Sequence, residues 1–391
     1  MKSNYKKLAP YIRLVDIRNS SDERYELLGV SVDKHFIKSI ANTVGTDWRT
    51  YKVIKKGQFC YIPDTSRRGD KMGIALLTDY EIALVSQAYA VFEIINQEEL
   101  LPEYLNLWFK RPEFDRYARF HSHGSVREIF DWEEMGNVEL PIPEIDEQKK
   151  IVEAYNTIER RIALKRQIND NLVALGITSL KQQIGNFDLI SKSDEEIKDM
   201  EIPNNLSIKT VREFCADMKS GSTPSRTNIK YWENGSISWL KSGEVHNNIT
   251  ISTEESITPL ALKETSTKLL PVDTVLMAMY GVTAGEVGYL AVSATTNQAI
   301  CGMICNSKKE AAFLYFTLLA NQEAISRQAT GGAQSNLSKE FIERIKIIVP
   351  MSDVLESEIF VSILIQIKEN TYEISSLLEL QSLILGQLSS R

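Results

Sequence analysis

Two stretches of this chain spell the same structural plan a little over 200 residues apart, and that repetition constrains the architecture more than any single motif. Gly124-Ser125 opens a run that closes at VELPIPEIDEQKKI, with Pro143 ending its strand-like part. Gly331-Gly332 opens one that closes at IKIIVPMSDVLESEI, with Pro350 in that place, and the two pairs share one offset of 207 residues. Upstream, KKGQFCYIP (Lys55–Pro63) parallels PVDTVLMAM (Pro271–Met279), and SQAYAVFEI (Ser86–Ile94) parallels NQAICGMIC (Asn297–Cys305). A helical stretch follows each, EYLNLWFKR and AFLYFTLLA. At 391 residues the chain accommodates two such domains of about 150 residues with helical material left over.

Each copy reads as short β-branched and aromatic strands, a short helix, a Gly-rich polar loop, a last strand, a proline stop and a long helix. The expected fold class is α+β, twice over. In the first long helix Ile151, Tyr155, Ile158, Ile162, Lys165, Ile168 and Leu172 recur at steps of three and four. In the second, Ile359, Ile363, Ile367, Asn370, Ile374 and Leu377 do the same, and Ile384 and Leu388 resume the pattern. With flanking turns each helix would run about 50–60 Å at about 1.5 Å per residue. Neither helix can bury such a stripe alone. They pair most simply as an antiparallel coiled coil, the competing arrangement being that each packs on its own domain as core. Lys165 and Asn370 fall on the seam, where polar groups fix register or lie at its exposed edge. The expected order is a domain over 1–143, a central spacer helix over 144–185, a linker over 186–205, a domain over 206–349 and a distal spacer helix over 350–391.

Several activities lack their chemistry in this sequence. A base-flipping adenine methyltransferase needs an Asn/Asp-Pro-Pro-aromatic tetrad, and the chain has no Pro-Pro step. GVTAGEVG (Gly281–Gly288) lacks the lysine of a phosphate loop, so no ATP-driven motor is expected. Pro63-Asp64 and Glu147-Gln148-Lys149 imitate a nuclease spelling, but the triplet opens a helix expected to face solvent. Cys60, Cys215, Cys301 and Cys305 match no disulfide or metal spacing and read as buried thiols, so no metal is expected. His121 and His123 flank Ser122 without a third ligand, which suits surface or DNA-facing groups. No apolar run reaches the roughly 20 residues a bilayer needs, and MKSNYKKLAP is no secretory signal, so the chain is placed in the cytoplasm. A formal net charge of −7 does not suit a general nucleic-acid coat. Any DNA contact must come from local clusters.

Three clusters qualify. Met218–Val245 gathers Ser220, Ser222, Thr223, Ser225, Arg226, Lys230, Lys241 and Ser242 with Tyr231 and Trp232. Hydroxyls suit phosphates, Arg and Lys donate to phosphates or guanine edges, and the aromatics serve DNA or the core. In the first copy TSRRGDKMG offers Ser66, Arg67, Arg68 and Lys71, and RFHSHGSVREIFDW adds His121, His123, Ser125 and Arg127. A charged surface hairpin is the plain alternative. In the second copy RQATGGAQSNLSKE brings Gln334, Ser335 and Asn336, amides and a hydroxyl able to read adenine or hold phosphate.

GSTPSRTNIKYWENGSISWLKSGEV, the later NQAI, GGAQSNLSKEFIERIKIIVP and the helix after it resemble the target-recognition domain of type I restriction–modification specificity (S) subunits. SQA, HGSVREIF and LPIPEIDEQKKIVEAYNTIERRI resemble the same module, and the two copies together cover nearly the whole chain. The first copy has no GSTPS-like segment across Lys7–Ser31, and the second has MSDVLESEI where an EQ-containing helix start is usual. The resemblance implies two recognition domains in pseudo-twofold arrangement, each reading one half of a split sequence in double-stranded DNA. It implies that the paired helices, through Ile151, Tyr155, Ile158, Ile162, Ile363, Ile367, Ile374 and Leu377, act as spacer and docking surface. Two methyltransferase subunits using S-adenosylmethionine and ATP-dependent restriction subunits are the implied partners. The chain itself would be non-catalytic and would bind no cofactor. Two readers about 34 Å apart would meet the same face of the duplex. The competing class is a DNA-independent scaffold whose working part is the coiled coil.

Overall fold

The computed structural model describes residues 5–40, 45–65, 71–124, 128–187, 189–246, 248–329, 336–350, 355 and 357–389. The chain divides into two compact units, Met1–Ile162 with Leu377–Arg391, and Ala163–Ser376.

The first unit holds strands β1 (Tyr5–Lys7), β2 (Ile12–Val15), β3 (Leu27–Val30), β4 (Phe36–Lys38), β5 (Lys52–Lys55), β6 (Phe59–Tyr61), β7 (Ile74–Leu76), β8 (Ile82–Val85), β9 (Ala90–Ile94) and β10 (Glu139–Pro141). Its helices are α1 (Pro102–Phe109), α2 (Pro112–Phe120), α3 (Trp132–Asn137) and the start of α4 (Ile145–Ile184). Proline at the first turn of α1 and α2 presets φ and has no N–H to leave unpaired. The sheets run β2-β9-β6-β7 and β4-β3-β8-β5, with β1 and β10 as a separate pair. Phe59 and Phe92 stack across neighbouring strands with centroids 5.0 Å apart, and Phe109 of α1 closes on Phe59 edge-on at 5.6 Å. Burying each such ring stabilises by roughly 1.5–3 kcal/mol.

The second unit holds α5 (Asp194–Lys198), β11 (Leu206–Thr210), α6 (Val211–Phe214), β12 (Asp217–Ser220), β13 (Ile237–Leu240), β14 (Ile249–Thr250), β15 (Glu255–Ile257) and α7 (Pro259–Glu264). It continues through β16 (Val275–Ala278), β17 (Val287–Leu290), β18 (Thr295–Thr296), β19 (Ile300–Ile304), α8 (Lys308–Ala320), α9 (Gln322–Arg327), α10 (Lys339–Arg344), β20 (Lys346–Pro350) and most of α11 (Ile359–Gln387). The plan of the first unit recurs. The order β12-β19-β16-β17, extended by β14, repeats β2-β9-β6-β7. The pairing β15-β13-β18, antiparallel then parallel, repeats β4-β3-β8, and β11 with β20 repeats β1 with β10. The internal duplication legible in the sequence is thus a duplication of topology.

The long helices differ from each other in length. α4 has 40 residues, about 60 Å at about 1.5 Å per residue. α11 has 29, about 43 Å on the same rise and below the expected span. In the second unit Lys165 pairs with Glu373 while Asn169 pairs with Asn370, so the two helices run antiparallel. Leu172, Val173 and Ile177 of α4 pack on the same core as Phe360, Ile363 and Ile367 of α11. In the first unit Tyr155 and Leu388 share one core, against which Ile151 and Ile384 pack. The two arrangements weighed from sequence therefore coexist, because each helix has apolar residues enough for both its partner and a domain. Ile158 and Ile162 are buried as well, while Ile374 and Leu377 are half-buried.

Two local expectations change. The start of α4 is not solvent-facing throughout: Gln148 is 0% exposed. Its amide oxygen accepts the Leu101 N–H at 2.9 Å and its nitrogen donates to the carbonyls of Glu99 and Pro143, each at 2.8 Å. An amide offers donors and an acceptor at once, which is why the EQ spelling can be buried here. The segment over 186–205 is also more than a connection. Ser193 and Glu196 form a capping box that starts α5, and Leu189 and Ile197 are buried in the second core.

Candidate nucleic-acid interface

The segment after β12 is held in place before any ligand is considered. At Gly221 an added Cβ would lie 2.1 Å from the Thr296 carbonyl oxygen, so only glycine lets the backbone cross here. Ser222 N–H donates to that same carbonyl at 2.9 Å, and Trp239 Nε1 donates to Ser222 O at 3.1 Å. Trp232 Nε1 ties Ser225 O at 3.1 Å. The aromatics therefore face the domain: Trp239 is buried with Ile257 and Ala261, and Tyr231 and Trp232 pack against that cluster.

On this base sits Arg226. Its guanidinium lies 3.7 Å from the centroid of the Trp232 ring and 4.8 Å from that of Trp239. Both terminal nitrogens engage the Glu255 carboxylate, Nη2 at 3.2 Å to Oε1 and Nη1 to Oε2. The Lys241 ammonium completes the cluster, 2.6 Å from Glu254 and 3.3 Å from Glu255. Arg226, then Lys241, hold the Glu255 carboxyl below the usual carboxylate range, and Glu254 first raises the Lys241 ammonium. Half of the Arg226 side chain remains exposed, at 49%. A planar cation with one edge fixed by a carboxylate, and its face fixed by an indole, is pre-oriented for planar acceptors.

Around it the hydroxyls face one another. Thr223 Oγ1 donates to Gln298 Oε1 at 2.7 Å, Ser266 Oγ donates to Ser222 Oγ at 2.9 Å, and Ser225 shares a hydrogen bond with Thr227. Ser220 ends β12, Lys230 is exposed, and the carbonyl of Ser242 accepts the Thr283 hydroxyl at 3.4 Å. Asn336 bridges Tyr280, which joins the end of the Gly-rich loop to hairpin β16–β17. Gln334 and Ser335 lie outside the described residues.

In the first unit the two expected segments meet. Thr65 N–H donates to Glu128 O at 2.9 Å and its hydroxyl to Ser122 at 3.0 Å, while His123 and Ile129 exchange backbone hydrogen bonds. Lys71 pairs with Asp33 at 2.9 Å in the turn between β3 and β4, which raises the lysine and lowers the aspartate. His121 stacks on Tyr117 with centroids 4.2 Å apart and meets Glu134 at 3.1 Å, lining a cavity of about 830 Å³, whereas His123 is exposed. Ser66, Arg67, Arg68, Ser125 and Arg127 lie outside the described residues.

Sequence reasoning missed Glu254 and Glu255, because acidic neighbours across a sheet leave no local spelling, and it quoted Gln298 within NQAI without giving it a role. Among the described residues no group of three or more His, Cys, Asp or Glu side chains could hold a metal ion. Cys60, Cys215 and Cys301 are buried, and burial pushes the Cys301 thiol up to about 12. Among the described residues no helix is long and apolar enough to cross a membrane.

The fold so described is a mixed helix-and-sheet module present twice. The profile of the type I restriction modification DNA specificity domain matches residues 5–174 and 203–380. The chain belongs to that family, the specificity subunits of type I restriction–modification systems. It is 22% identical over 416 residues to the type I restriction enzyme HindI specificity subunit of Haemophilus influenzae, covering 89% of each chain. It is 24% identical over 270 residues to the MjaIX specificity subunit of Methanocaldococcus jannaschii, covering 67% of this chain and 62% of that one. The crystal structure of the type I S subunit from M. genitalium shares the fold with a TM-score of 0.55 at 15% identity, over 98% of this chain and 95% of that one.

Proposed function

We propose that the chain is the DNA-reading, non-catalytic subunit of a type I restriction–modification complex, with recognition domains over 1–143 and 206–349 each reading one half of a split target. The repeated sheet topology carries this reading, since two copies of one module suit the two halves of one target. In the second domain Arg226, Lys241 and Ser222 face DNA, with Arg226 donating to a base edge and the hydroxyls to phosphates. Ser220, Thr223, Ser225, Lys230, Ser242, Gln334, Ser335 and Asn336 supply the further contacts to the same half. In the first domain Ser66, Arg67, Arg68, Lys71, His121, His123, Ser125 and Arg127 serve the other half. The helix pair sets the spacing and docks two methyltransferase subunits and, through them, restriction subunits, in the cytoplasm.

The test is selection from a randomised duplex pool by the full chain with its methyltransferase subunits, repeated at several salt concentrations. A motif split by a fixed gap, with affinity falling as salt rises, is the expected result. Binding without sequence preference would favour a scaffold.

A further inference from the structure

Hairpin β16–β17 turns through Tyr280–Glu286, part of the segment set aside above for want of a phosphate-loop lysine. The duplication gives this turn a counterpart. Between β6 and β7 the sequence reads TSRRGDK, and both connections open with a bridge to the same later segment, Asp64 with Ile129 and Tyr280 with Asn336. One turn is a proposed DNA contact, while the other has no assigned role.

The turn is braced from below. Gly285 N–H donates to Ala278 O at 2.8 Å, Leu337 N–H to Met279 O at 2.8 Å, and Ser326 Oγ to Ala284 O at 3.2 Å. Gly281 and Gly285 take φ of 81° and 90°, a reversal other residues rarely adopt. Thr283 is buried and ties the turn to Ser242, next to Lys241. Above this base Val282 is fully exposed, at 103%, and Tyr280 is 40% exposed. An apolar tip thus stands on an ordered base, flanked by Ser242 on one side and Asn336 on the other. Binding through it would cost little further ordering.

We propose that the Tyr280–Gly285 turn is a base-reading element of the second recognition domain, Val282 meeting an apolar base edge such as a thymine C5-methyl. Apolar contact with that methyl is one of the ways the major groove is read. The proposal rests on the DNA-reading function given above.

The experiment repeats the randomised-duplex selection with Val282→Gly and Val282→Asn, neither of which offers a methyl to the base edge. Preference should fall about 3- to 10-fold at one or two positions of one half, the other half and the affinity for random DNA being unchanged. An unaltered motif in both variants overturns the proposal and leaves the DNA-reading function standing. An equal loss on every sequence makes the turn a backbone contact and also overturns it. A wild-type complex without any split motif removes the underlying function and this assignment together.

Discussion

The Lys165 ammonium donates to the Asn370 side-chain oxygen at 2.9 Å although the two residues stand 205 positions apart. Asn370, 1% exposed, donates in turn to Asn169 at 2.8 Å, and Glu373 takes the remaining lysine charge at 2.9 Å. One polar knot therefore ties α4 to α11 at a single register, because a slip by one turn would strand an ammonium and two amides in an apolar seam. Asn370→Ala should lower unfolding free energy by about 1–3 kcal/mol. The double variant Lys165→Met/Asn370→Ala should lose less than the two single changes combined, because the Lys165–Asn370 bond is then lost once and not twice. Chemical denaturation of the four proteins checks this, and strict additivity would mean the two do not interact.

Gln148 fastens the start of α4 through three hydrogen bonds, so Gln148→Ala should cost about 2–4 kcal/mol by leaving backbone groups unpaired. Gln148→Glu should be at least as damaging at neutral pH, because a carboxylate cannot donate to the carbonyls of Glu99 and Pro143. Thermal melting of both variants measures it.

Gly221→Ala should destabilise the second unit by at least about 2 kcal/mol, since its Cβ would collide with a backbone carbonyl. Gly243→Ala, with nothing within 4 Å of its Cβ, should change stability by less than about 1 kcal/mol. Equal effects would show that the crossing near Thr296 relaxes freely.

Much of this was legible in the sequence and some was not. The duplication, the strand-to-helix order and the two apolar stripes are written locally, in β-branched runs, prolines and three-four spacing. Lys165 and Asn370 were visible as seam residues, but their pairing needs the register of two distant helices. Arg226 and Lys241 were visible as cations. Their carboxylates were not, because Glu254 and Glu255 reach them from another strand. Tyr231 and Trp232 could have served DNA or the core, and only the cluster around Trp239 assigns them to the core. Gln148 misled, since nothing in a charged triplet announces a buried amide.

Arg226→Ala should weaken binding to the split target by about 1–3 kcal/mol and relax one position, if the guanidinium reads a base bidentately. Equal losses on target and random duplex would make it a phosphate contact. Glu255→Gln should act oppositely on random DNA, raising affinity and steepening the salt dependence, because a carboxylate no longer neutralises Arg226 and Lys241.

The same pair gives an acid response. Arg226 holds the Glu255 carboxyl below its usual 4.5, so the carboxyl's stabilising contribution is complete above that pH and is lost as pH falls through the lower folded value. Indole fluorescence should change in this acid range as Arg226 leaves Trp232, and Glu255→Gln should remove that step.

The central claim is that this chain alone chooses the sequence modified by its complex. Methylation mapping of DNA from cells carrying the methyltransferase subunits of the proposed complex, with and without this chain, tests it most directly. A motif split by a fixed gap, with N6-methyladenine in both halves and lost on deletion of the chain, is the predicted result. Methylation that is unchanged by the deletion would contradict it.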